Sequence, residues 1–529
     1  MTPVCEVFRQ RFLEDPTRVA LHQRQRDWTY GELGERASAL AAWLLRGGLQ
    51  RGDRVGLLLP NSAEYVACYF GAQLAGGIAV TLNPNTTARE LSQTLVHAAP
   101  TVVIASALAH EPLAAVADQL ASLRLLVLGD ASQAAGLLPR GAPVVALEEA
   151  WALQPGRPSP PAPALSDVAQ IIYTSGTSGR PKGVTLSHGN LAANCRAIVE
   201  YLELTAEDAV FVILPFFYSY GNSLLTTHVA VGARLVLAPD FVFWNRALDL
   251  VEAQRATGLA GVPSSFALLL YKSDFAQRRF PHLRYLTCAG GGLAPALAER
   301  LRALVPHARL FLMYGQTEAT ARLSTLMPQD LPRKLGSIGR AIPDVKLSVL
   351  DDEGRPLPPG QVGEIVAQGD NVMLGYWNDP EATRSVLRPE GLRTGDLGKA
   401  DAEGFLYVVG RKSDLIKSGA YRIHPEEIEA LLLELPGVAE AAVCGLPDEI
   451  LGAVPAAFVV PAPRVPALTV AEVLDHAKRN LPRYKQLRHL QFVAALPRTA
   501  SGKVQRGELA RLMPTTDAQP AVSQAPSED

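Results

Sequence analysis

The stretch VAQIIYTSGTSGRPKGV, residues 168 to 184, joins an apolar segment to a loop rich in glycine and hydroxyl side chains. Its first seven residues have the length and composition of a buried strand. The residues suited to meet an anion are Thr174, Ser175, Gly176, Thr177, Ser178, Gly179, Lys182 and Gly183. Glycines let backbone N–H groups approach a ligand closely, while hydroxyls and a lysine add donors and positive charge. The stretch therefore predicts a strand followed by a loop that binds a nucleotide polyphosphate.

The order of residues in this loop differs from that of the common NTPase phosphate loop. In G-x-x-x-x-G-K-[ST] the lysine follows a glycine and precedes Ser or Thr, whereas Lys182 lies between Pro181 and Gly183. A flexible surface loop is the alternative interpretation of a Ser/Gly-rich segment. The preceding strand and the lysine favour phosphate binding of another kind.

Strand and helix signals alternate on the N-terminal side of the loop. Residues 31 to 49 place apolar side chains at helical spacing and end at a glycine pair, and RVGLLLP (54 to 60) is typical of a buried strand. Further strand candidates are GGIAVTLNP, TVVIAS and LRLLVLGD. This alternation predicts an α/β fold with mostly parallel sheets. Beyond the loop, residues 347 to 366 predict an antiparallel hairpin around an Asp-Glu-Gly turn.

Length and composition indicate a folded protein of at least two domains. A single hydrophobic core rarely extends beyond about 250 to 300 residues, and the chain has 529. Hydrophobic residues make up 48% and charged residues 19%, with a formal net charge of -2. This balance disfavours disorder and a polyanion-binding surface, so we expect no nucleic-acid partner. Residues 152 to 166 predict a surface connection, and residues 514 to 529 predict a disordered tail.

Cysteine use and hydropathy indicate the cellular compartment. The five cysteines form no C-x-x-C pair, which argues against a disulfide framework, a zinc site and a redox dithiol. The first twenty residues lack the apolar run of a signal peptide. The sequence contains no run of about 18 apolar residues, so it predicts no membrane span. We therefore expect a cytoplasmic protein with reduced, buried cysteines.

The loop YTSGTSGRPKGV closely resembles the signature of the adenylate-forming superfamily of acyl-CoA synthetases, luciferases and peptide-synthetase adenylation domains. Four further segments match the family in order: YGQTE (314 to 318), TGD (394 to 396), GRKSDLIKSGAYRIHPEEIE (410 to 429) and LPRTASGKVQR (496 to 506). Together they cover almost the whole chain. The resemblance implies a large N-terminal domain of packed mixed and parallel sheets with helices, residues 1–412, and a small mobile α+β C-terminal domain, residues 413–513.

The same resemblance implies a reaction. The family uses ATP and Mg²⁺ to convert a carboxylic acid into an acyl-AMP with release of pyrophosphate, and many members then pass the acyl group to a thiol. Coenzyme A is the expected acceptor, and the phosphopantetheine of a carrier protein is the alternative. The match of YGQTE implies that Thr317 and Glu318 contact the α-phosphate and Mg²⁺. A carboxylate together with nucleotide oxygens is a usual ligand set for this ion.

Other matches concern the nucleoside. Asp396 corresponds to the carboxylate that holds both ribose hydroxyls, and Arg411 to the arginine that supports the same ribose. The run CAGGGLAP, 288 to 295, resembles the adenine wall of the family, where Gly291 and Gly292 leave a flat slot beside Tyr314. A plain turn is the alternative interpretation of that glycine run.

The C-terminal matches imply two working positions of the small domain. In the family this domain rotates about a hinge that falls here on Ser413, where relatives usually have Asp or Lys. Lys503 is expected to enter the site for adenylation. The segment that is expected to face the site for thioester formation contains Lys417, Gly419 and Ala420. Because Ala420 replaces the usual glycine beside the pantetheine tunnel, the sequence leaves open transfer to the phosphopantetheine of a carrier protein, or to another acceptor, in place of free coenzyme A.

The acyl pocket departs from that of many relatives. Where a PFFH-like segment is common, this chain reads PFFYSYGN from 215 to 222, with Tyr218 in place of the His. The aromatic residues Phe216, Phe217, Tyr218 and Tyr220 are candidates for lining an apolar pocket, and ordinary core packing explains them equally well. Ser219 stands where amino-acid-activating relatives have an Asp, so an ordinary α-amino acid is disfavoured. A non-catalytic nucleotide-binding regulator is the alternative from another class, and the presence of Lys182, Glu318 and Lys503 together argues against it.

Overall fold

The computed structural model of the chain describes residues 1–119, 125–128, 144–153, 162–174, 181–238, 243–412, 414–418, 421–448, 450–462, 468–498 and 504–513. The chain divides into two compact units, Met1–Val408 and Val409–Asp529. Several predictions fall outside the described residues: the loop 175–180, most of the connection 152–166, the hinge at Ser413 and the tail 514–529.

The described helices are distributed over the whole chain. They are α1 (Val4–Glu14), α2 (Tyr30–Arg46), α3 (Ala63–Leu74), α4 (Ala88–Ala98), α5 (His110–Ala114), α6 (Leu147–Trp151), α7 (His188–Leu202), α8 (Ser219–Val231), α9 (Trp244–Ala253), α10 (Pro263–Lys272), α11 (Pro295–Leu304), α12 (Pro380–Val386), α13 (Pro425–Leu432), α14 (Val470–Asn480) and α15 (Arg506–Leu509). Short 3₁₀ turns cover Ala107–Ala109, Ala117–Gln119, Phe275–Gln277, Thr317–Ala319, Arg483–Lys485 and Ala510–Leu512.

The described strands alternate with these helices through most of the first unit. They are β1 (Val19–Gln23), β2 (Arg26–Thr29), β3 (Arg54–Leu58), β4 (Ile78–Thr81), β5 (Val102–Ala105), β6 (Leu125–Leu128), β7 (Val144–Ala146), β8 (Val168–Thr174), β9 (Lys182–Ser187), β10 (Ala209–Val212), β11 (Arg234–Leu237), β12 (Gly258–Gly261), β13 (Tyr285–Cys288), β14 (Arg309–Tyr314), β15 (Ser324–Leu326), β16 (Arg340–Ala341), β17 (Val345–Leu350), β18 (Gly363–Gly369), β19 (Gly375–Tyr376), β20 (Leu387–Arg388), β21 (Gly391–Ala400), β22 (Leu406–Arg411), β23 (Ile416–Ser418), β24 (Tyr421–Ile423), β25 (Val438–Asp448), β26 (Gly452–Pro461) and β27 (His489–Phe492).

Two large sheets build the first unit. In one, the order is β16-β15-β14-β13-β12-β10-β11-β1-β2, and the strands from β14 to β1 run parallel while the outer ones are antiparallel. In the other, the order is β19-β9-β8-β4-β3-β5-β6-β7, with parallel pairing from β8 to β7. All strands predicted before residue 175 are present. The predicted α/β fold with mostly parallel sheets is confirmed.

Helix α2 illustrates how the local sequence specifies these elements. Thr29 caps its N-terminus: the Thr29 hydroxyl accepts from the backbone N–H of Glu32, and the Glu32 carboxylate accepts from that of Thr29. This reciprocal cap satisfies two donors that the first helical turn leaves unpaired. The apolar side chains that the helical spacing predicted to pack are all buried: Leu33, Ala37, Leu40, Ala41 and Leu44.

A smaller antiparallel sheet completes the first unit, with β17, β18, β21 and β20 as neighbours in that order. The predicted hairpin is confirmed, since β17 pairs with β18 from Val345↔Gly369 to Leu350↔Glu364. The connection is longer than the sequence suggested. Because a first turn closes at Gly354 and pairs Pro356 with Leu350, the chain needs a further loop before β18 begins.

The second unit has its own α+β architecture. A two-stranded ribbon of β23 and β24 accompanies a sheet with the order β25-β26-β27, in which the first pair is antiparallel and the second parallel. Helices α13 and α14 pack with this sheet over a core that contains Ile428, Leu432, Val443 and Val473. The unit therefore has an apolar core of its own.

The cysteines and the helices agree with the predictions from composition. All five cysteines are buried and free of disulfides. Burial raises the pKa of each of the five thiols, as expected for inert core residues. Among the described residues, no helix is both long enough and apolar enough to cross a membrane.

Candidate active site

The two strands that flank the predicted phosphate loop form a tight antiparallel pair. Thr174 ends β8 and pairs directly with Lys182, the first residue of β9. A Cβ on Gly183 would lie 3.0 Å from a methyl of Ile171 and 3.2 Å from the Cβ of Trp377, so the chain is crowded beside Lys182. Ser175, Gly176, Thr177, Ser178 and Gly179 lie outside the described residues, and their role in phosphate binding stays a prediction.

Lys182 and Glu318 are connected through a tyrosine that the sequence analysis did not single out. The Tyr376 hydroxyl donates to Oε1 of Glu318 at 2.9 Å, and Nζ of Lys182 lies 4.9 Å from the centre of the Tyr376 ring. Burial, and after it the negative charge of Glu318, raises the pKa of Tyr376. The hydroxyl therefore stays protonated and donates a hydrogen bond to the carboxylate. Strand β19 holds Tyr376 there by pairing it with Val184. The phosphate-loop lysine and the predicted metal carboxylate thus both lie next to the Tyr376 side chain.

The environment of Glu318 fits a magnesium ion that arrives with its nucleotide. No group of three or more His, Cys, Asp or Glu side chains suited to a metal occurs in the part of the chain that the structure describes. Mg²⁺ is commonly held by one or two carboxylates plus substrate phosphates rather than by a cage of protein ligands. Glu318 supplies such a carboxylate close to the phosphate-loop hairpin. Its assignment as the metal ligand stays a prediction.

Thr317 lies beside the predicted acyl pocket. It begins the 3₁₀ turn after β14, and its Oγ1 is 3.2 Å from the Oγ of Ser219, the first residue of α8. A Cβ on Gly221 would lie 2.0 Å from the carbonyl oxygen of Pro215, so only glycine lets the PFFY segment fold against the first turn of α8. The structure therefore brings together Ser219 and Thr317, which the sequence placed in different parts of the site.

The aromatic residues before α8 divide into two groups. Phe216 is fully buried and packs in the core with its ring tilted against that of Tyr65, at a centroid distance of 5.4 Å, so core packing explains it. The rings of Phe217 and Tyr218 lie 4.6 Å apart, next to Ser219. Burial raises the pKa of Tyr218 to about 12, which keeps this hydroxyl neutral. Phe217 and Tyr218 are consistent with an apolar wall at this point.

The predicted ribose and adenine residues meet at the carboxyl edge of the first sheet. Tyr314 ends β14, and its hydroxyl donates to Oδ2 of Asp396 at 2.6 Å; Asp396 is only 4% exposed. Gly291 and Gly292 follow β13, the parallel neighbour of β14, and therefore lie at the same edge. A Cβ on Gly292 would meet no atom within 4 Å, and one on Gly291 would be 3.4 Å from a side-chain carbon of Pro263. The space over this turn suits a flat group.

The remaining predicted residues lie from residue 411 onwards. Arg411, predicted to support the ribose from the N-terminal domain 1–412, ends β22, and Lys417, predicted to act from the mobile domain, is an exposed residue of β23. Ser413, Gly419, Ala420 and Lys503 lie outside the described residues. Arg498 and Val504, on either side of the Lys503 segment, form a β-bridge. The roles of all these residues stay predictions.

A partly buried charge cluster anchors the chain just after the Lys503 segment. Both Glu429 oxygens accept from Nη2 of Arg506, at 2.9 and 2.7 Å, and Nη1 of Arg506 reaches Asp414 at 3.2 Å. Burial raises the pKa of Glu426, beside the same arginine, to about 7. Arg506 thereby ties the segment after Lys503 to the residue that follows the predicted hinge.

Sequence reasoning missed Tyr376, Arg506 and a buried arginine, Arg322. An aromatic residue in GYWND and an arginine three residues after Lys503 have no periodicity or spacing that marks them. Their significance arises from contacts across 58 and 77 residues of chain, which only folding creates.

Comparison with known proteins agrees with this geometry. Residues 8–377 match the family described as AMP-binding enzyme, and residues 427–503 match its C-terminal domain. The chain is 35% identical over 504 residues to an indoleacetate–CoA ligase of Aromatoleum aromaticum, covering 94% of this chain and 96% of that protein. It is 34% identical over 523 residues to a 2-succinylbenzoate–CoA ligase of Geobacillus kaustophilus, covering 98% and 99%.

Solved structures show the same likeness over the whole chain. An anthranilate CoA ligase in complex with anthranoyl-AMP has a TM-score of 0.87 at 27% identity, with 96% of both chains covered. ATP-bound MatB from Rhodopseudomonas palustris has a TM-score of 0.85 at 32% identity, with 97% and 99% covered. With the phosphate-loop hairpin, the Tyr314–Asp396 pair and the Thr317–Glu318 turn all on one scaffold, the chain belongs to the AMP-binding enzyme family and is an AMP-forming acid–thiol ligase that uses ATP and Mg²⁺.

Proposed function

We propose that the two half-reactions are carried out at the junction of α8 and the turn after β14. An oxygen of the acid carboxylate attacks the α-phosphorus of ATP, and pyrophosphate leaves. The thiol of coenzyme A then attacks the acyl carbon, forming the thioester and releasing AMP. The observation that carries this assignment is the 3.2 Å contact between Ser219, in the predicted acyl pocket, and Thr317, the predicted α-phosphate contact.

The first half-reaction brings two anions together and therefore depends on positive charge. Lys182 and the N–H and hydroxyl groups of residues 174 to 179 are proposed to hold the polyphosphate. Lys503 is proposed to bridge the carboxylate and the α-phosphate, because a preorganised cation stabilises charge that develops in the transition state. Mg²⁺ bound near Glu318 would neutralise phosphate charge.

The second half-reaction requires that Lys503 leave the active site. We propose that the C-terminal domain, residues 413–513, rotates about Ser413 after adenylation and withdraws Lys503. Lys417, Gly419 and Ala420 then face the acyl-AMP. A separate apolar core in the second unit supports movement as one body, since the unit keeps its buried contacts wherever it sits.

Coenzyme A is proposed as the acceptor in preference to a carrier-protein phosphopantetheine. The relatives that support this choice are CoA ligases, and the chain matches them over nearly their full length. Both acceptors end in the same pantetheine thiol, so Ala420, which adds a methyl beside the tunnel predicted for it, does not distinguish them. A cytoplasmic location, where thiols stay reduced, belongs to the same proposal and agrees with five free cysteines.

For the acid, the proposal is a carboxylic acid with an apolar or aromatic body. Phe217 and Tyr218 provide the apolar wall, and relatives of similar length act on indoleacetate and 2-succinylbenzoate. An α-amino acid is disfavoured, because Ser219 offers no charge to a buried ammonium group.

The first test is exchange of labelled pyrophosphate into ATP, measured across fatty, aromatic and short-chain acids. Exchange that depends on the acid supports adenylation. Folded protein that binds ATP and shows no exchange with any acid would instead support a nucleotide-binding regulator. Thioester formation is then measured with coenzyme A and with a phosphopantetheinylated carrier protein, and a higher kcat/KM with the carrier would reverse the proposed acceptor.

A further inference from the structure

Arg322 is a cation buried in the first unit without an acidic partner among the described residues. It lies two residues before β15 and is 3% exposed. Its Nε donates to the sulfur of Met313 at 3.3 Å, and its Nη1 donates to the carbonyl of Ala321 at 3.2 Å. A guanidinium carries five N–H donors and always keeps its charge. These neutral partners leave its charge uncompensated by any carboxylate in the described part of the chain.

The backbone around Arg322 is held firmly in place. Two buried asparagines donate to the Arg322 carbonyl, Asn194 at 3.0 Å and Asn371 at 2.8 Å. The preceding turn places Thr320 at φ 66, a conformation unusual for a side chain with a branched Cβ, and the Thr320 hydroxyl donates to the carbonyl of Asn371 at 2.7 Å. Because several buried bonds maintain this strained turn, the position of the arginine is specified rather than incidental.

The guanidinium lies next to the residues that join the acyl and phosphate sites. Its Cζ is 4.0 Å from the centre of the Tyr220 ring. Tyr220 follows Ser219, whose hydroxyl contacts Thr317, and the Tyr220 hydroxyl is 2.9 Å from Oγ1 of Thr287. Arg322 therefore packs against the second residue of α8, one residue along the helix from the Ser219–Thr317 contact.

A buried charge is costly unless an opposite charge compensates it. Folding evidently tolerates that cost here, and a bound anion would offset it. The reacting carboxylate of the acid has its own proposed cation in Lys503, so the anion at Arg322 would belong to the far end of the same molecule. The shape of a guanidinium suits a carboxylate, which accepts two parallel hydrogen bonds from it.

We infer that Arg322, resting on Tyr220, binds a second carboxylate of the acid, and that the enzyme therefore activates dicarboxylic acids. This inference rests on the proposed function, since it assumes that the acid lies at the junction of α8 and the turn after β14. It adds a specificity residue and a substrate class to that proposal.

The test with unaltered enzyme uses matched pairs of acids. Each α,ω-dicarboxylic acid of four to eight carbons, and each of the three benzenedicarboxylic acids, is compared with its monomethyl ester in pyrophosphate exchange. The ester keeps one carboxylate to react but removes the second charge. We expect kcat/KM for the best diacid to exceed that for its ester by at least about 10²-fold, as is typical when a buried polar site loses its partner.

Variants then assign that preference to Arg322. Arg322→Met should abolish the preference, lowering kcat/KM for the diacid while leaving the ester unchanged or improved, and Arg322→Lys should retain part of it. Arg340→Met is the matched control, because Arg340 also lies over an aromatic ring, Phe405 at 4.2 Å, but on the surface. Arg340→Met should leave the ratio of kcat/KM for the diacid to kcat/KM for its ester unchanged.

The outcomes separate this inference from the proposed function. Exchange with esters and monocarboxylic acids but not with diacids would overturn the inference and leave the proposed function intact. An equal loss for diacid and ester in Arg322→Met would also overturn it, because a structural role or a role toward the reacting carboxylate affects both. If Arg322→Met does not fold, the matched acids and Arg322→Lys decide the matter. No exchange with any acid would contradict the proposed function itself.

Discussion

Replacing Asp396 by alanine should weaken ATP binding without unfolding the protein. Asp396 is 4% exposed, and the Tyr314 hydroxyl fixes its carboxylate at 2.6 Å. If the carboxylate holds both ribose hydroxyls, the variant loses two charge-assisted hydrogen bonds of about 1.5–3 kcal/mol each. The sum of about 3–6 kcal/mol corresponds to about a 10²- to 10⁴-fold rise in the apparent KM for ATP. Asp396→Asn keeps the shape of the side chain and loses only its charge, so we expect about a tenfold rise in the apparent KM for ATP.

The assay is pyrophosphate exchange at varied ATP with the acid at saturation, together with the melting temperature of each variant. The effect should appear in KM for ATP far more than in kcat, because ribose contacts are made in the ground state and transition state alike. Tyr314→Phe is a graded comparison, since it removes the bond that orients the carboxylate but keeps the charge. An unchanged KM for ATP with a lowered melting temperature would show that Asp396 is a structural acid and that the assumed nucleotide position is wrong.

Three other predictions concern separate parts of the chain. Lys503→Ala should lower adenylation by about 10² to 10³-fold yet spare thioester formation from supplied acyl-AMP, and an equal loss in both would contradict the rotating-domain mechanism. Tyr376→Phe removes the hydrogen bond to Glu318 and should raise the Mg²⁺ concentration for half-maximal exchange; an unchanged Mg²⁺ dependence would show that Tyr376 does not position a metal ligand. Burial raises the pKa of Glu426 from 4.5 to about 7, so the folded unit binds a proton between these values that the unfolded chain releases. Stability should therefore fall as pH rises through that window in the wild type, less so in Glu426→Gln, and identical pH profiles would refute the assignment.

The alternation of strands and helices in the first unit could be predicted from local sequence alone. Short apolar runs such as Arg54–Leu58 and Val102–Ala105, and the helical spacing that buries Leu33 to Leu44, depend on the solvent preference of neighbouring side chains. The resemblance of five ordered motifs added the reaction class, which the comparisons confirm. The local sequence underestimated the connection between β17 and β18, because the extra pairing of Leu350 with Pro356 depends on the neighbouring chain.

Contacts between distant segments were decided by the tertiary structure. Ser219 and Thr317 are 98 residues apart, and Tyr314 and Asp396 are 82 apart, yet each pair is within hydrogen-bond distance. No periodicity encodes which side chains the carboxyl ends of parallel strands bring together, since that depends on strand order.

The sequence and the tertiary structure also determine different properties of the charged residues. The sequence by itself determined the fold class and the reaction class, and it predicted the residue types proposed to meet ATP, because each depends on motif composition or on local apolar spacing. Only the tertiary structure decided that Arg322 is buried with neutral partners at 3.2 and 3.3 Å, or that Tyr376 joins Lys182 to Glu318. Burial and pairing are properties of the packed chain: the free energy of a charge depends on the groups that replace its water, and distant segments supply those groups only after folding.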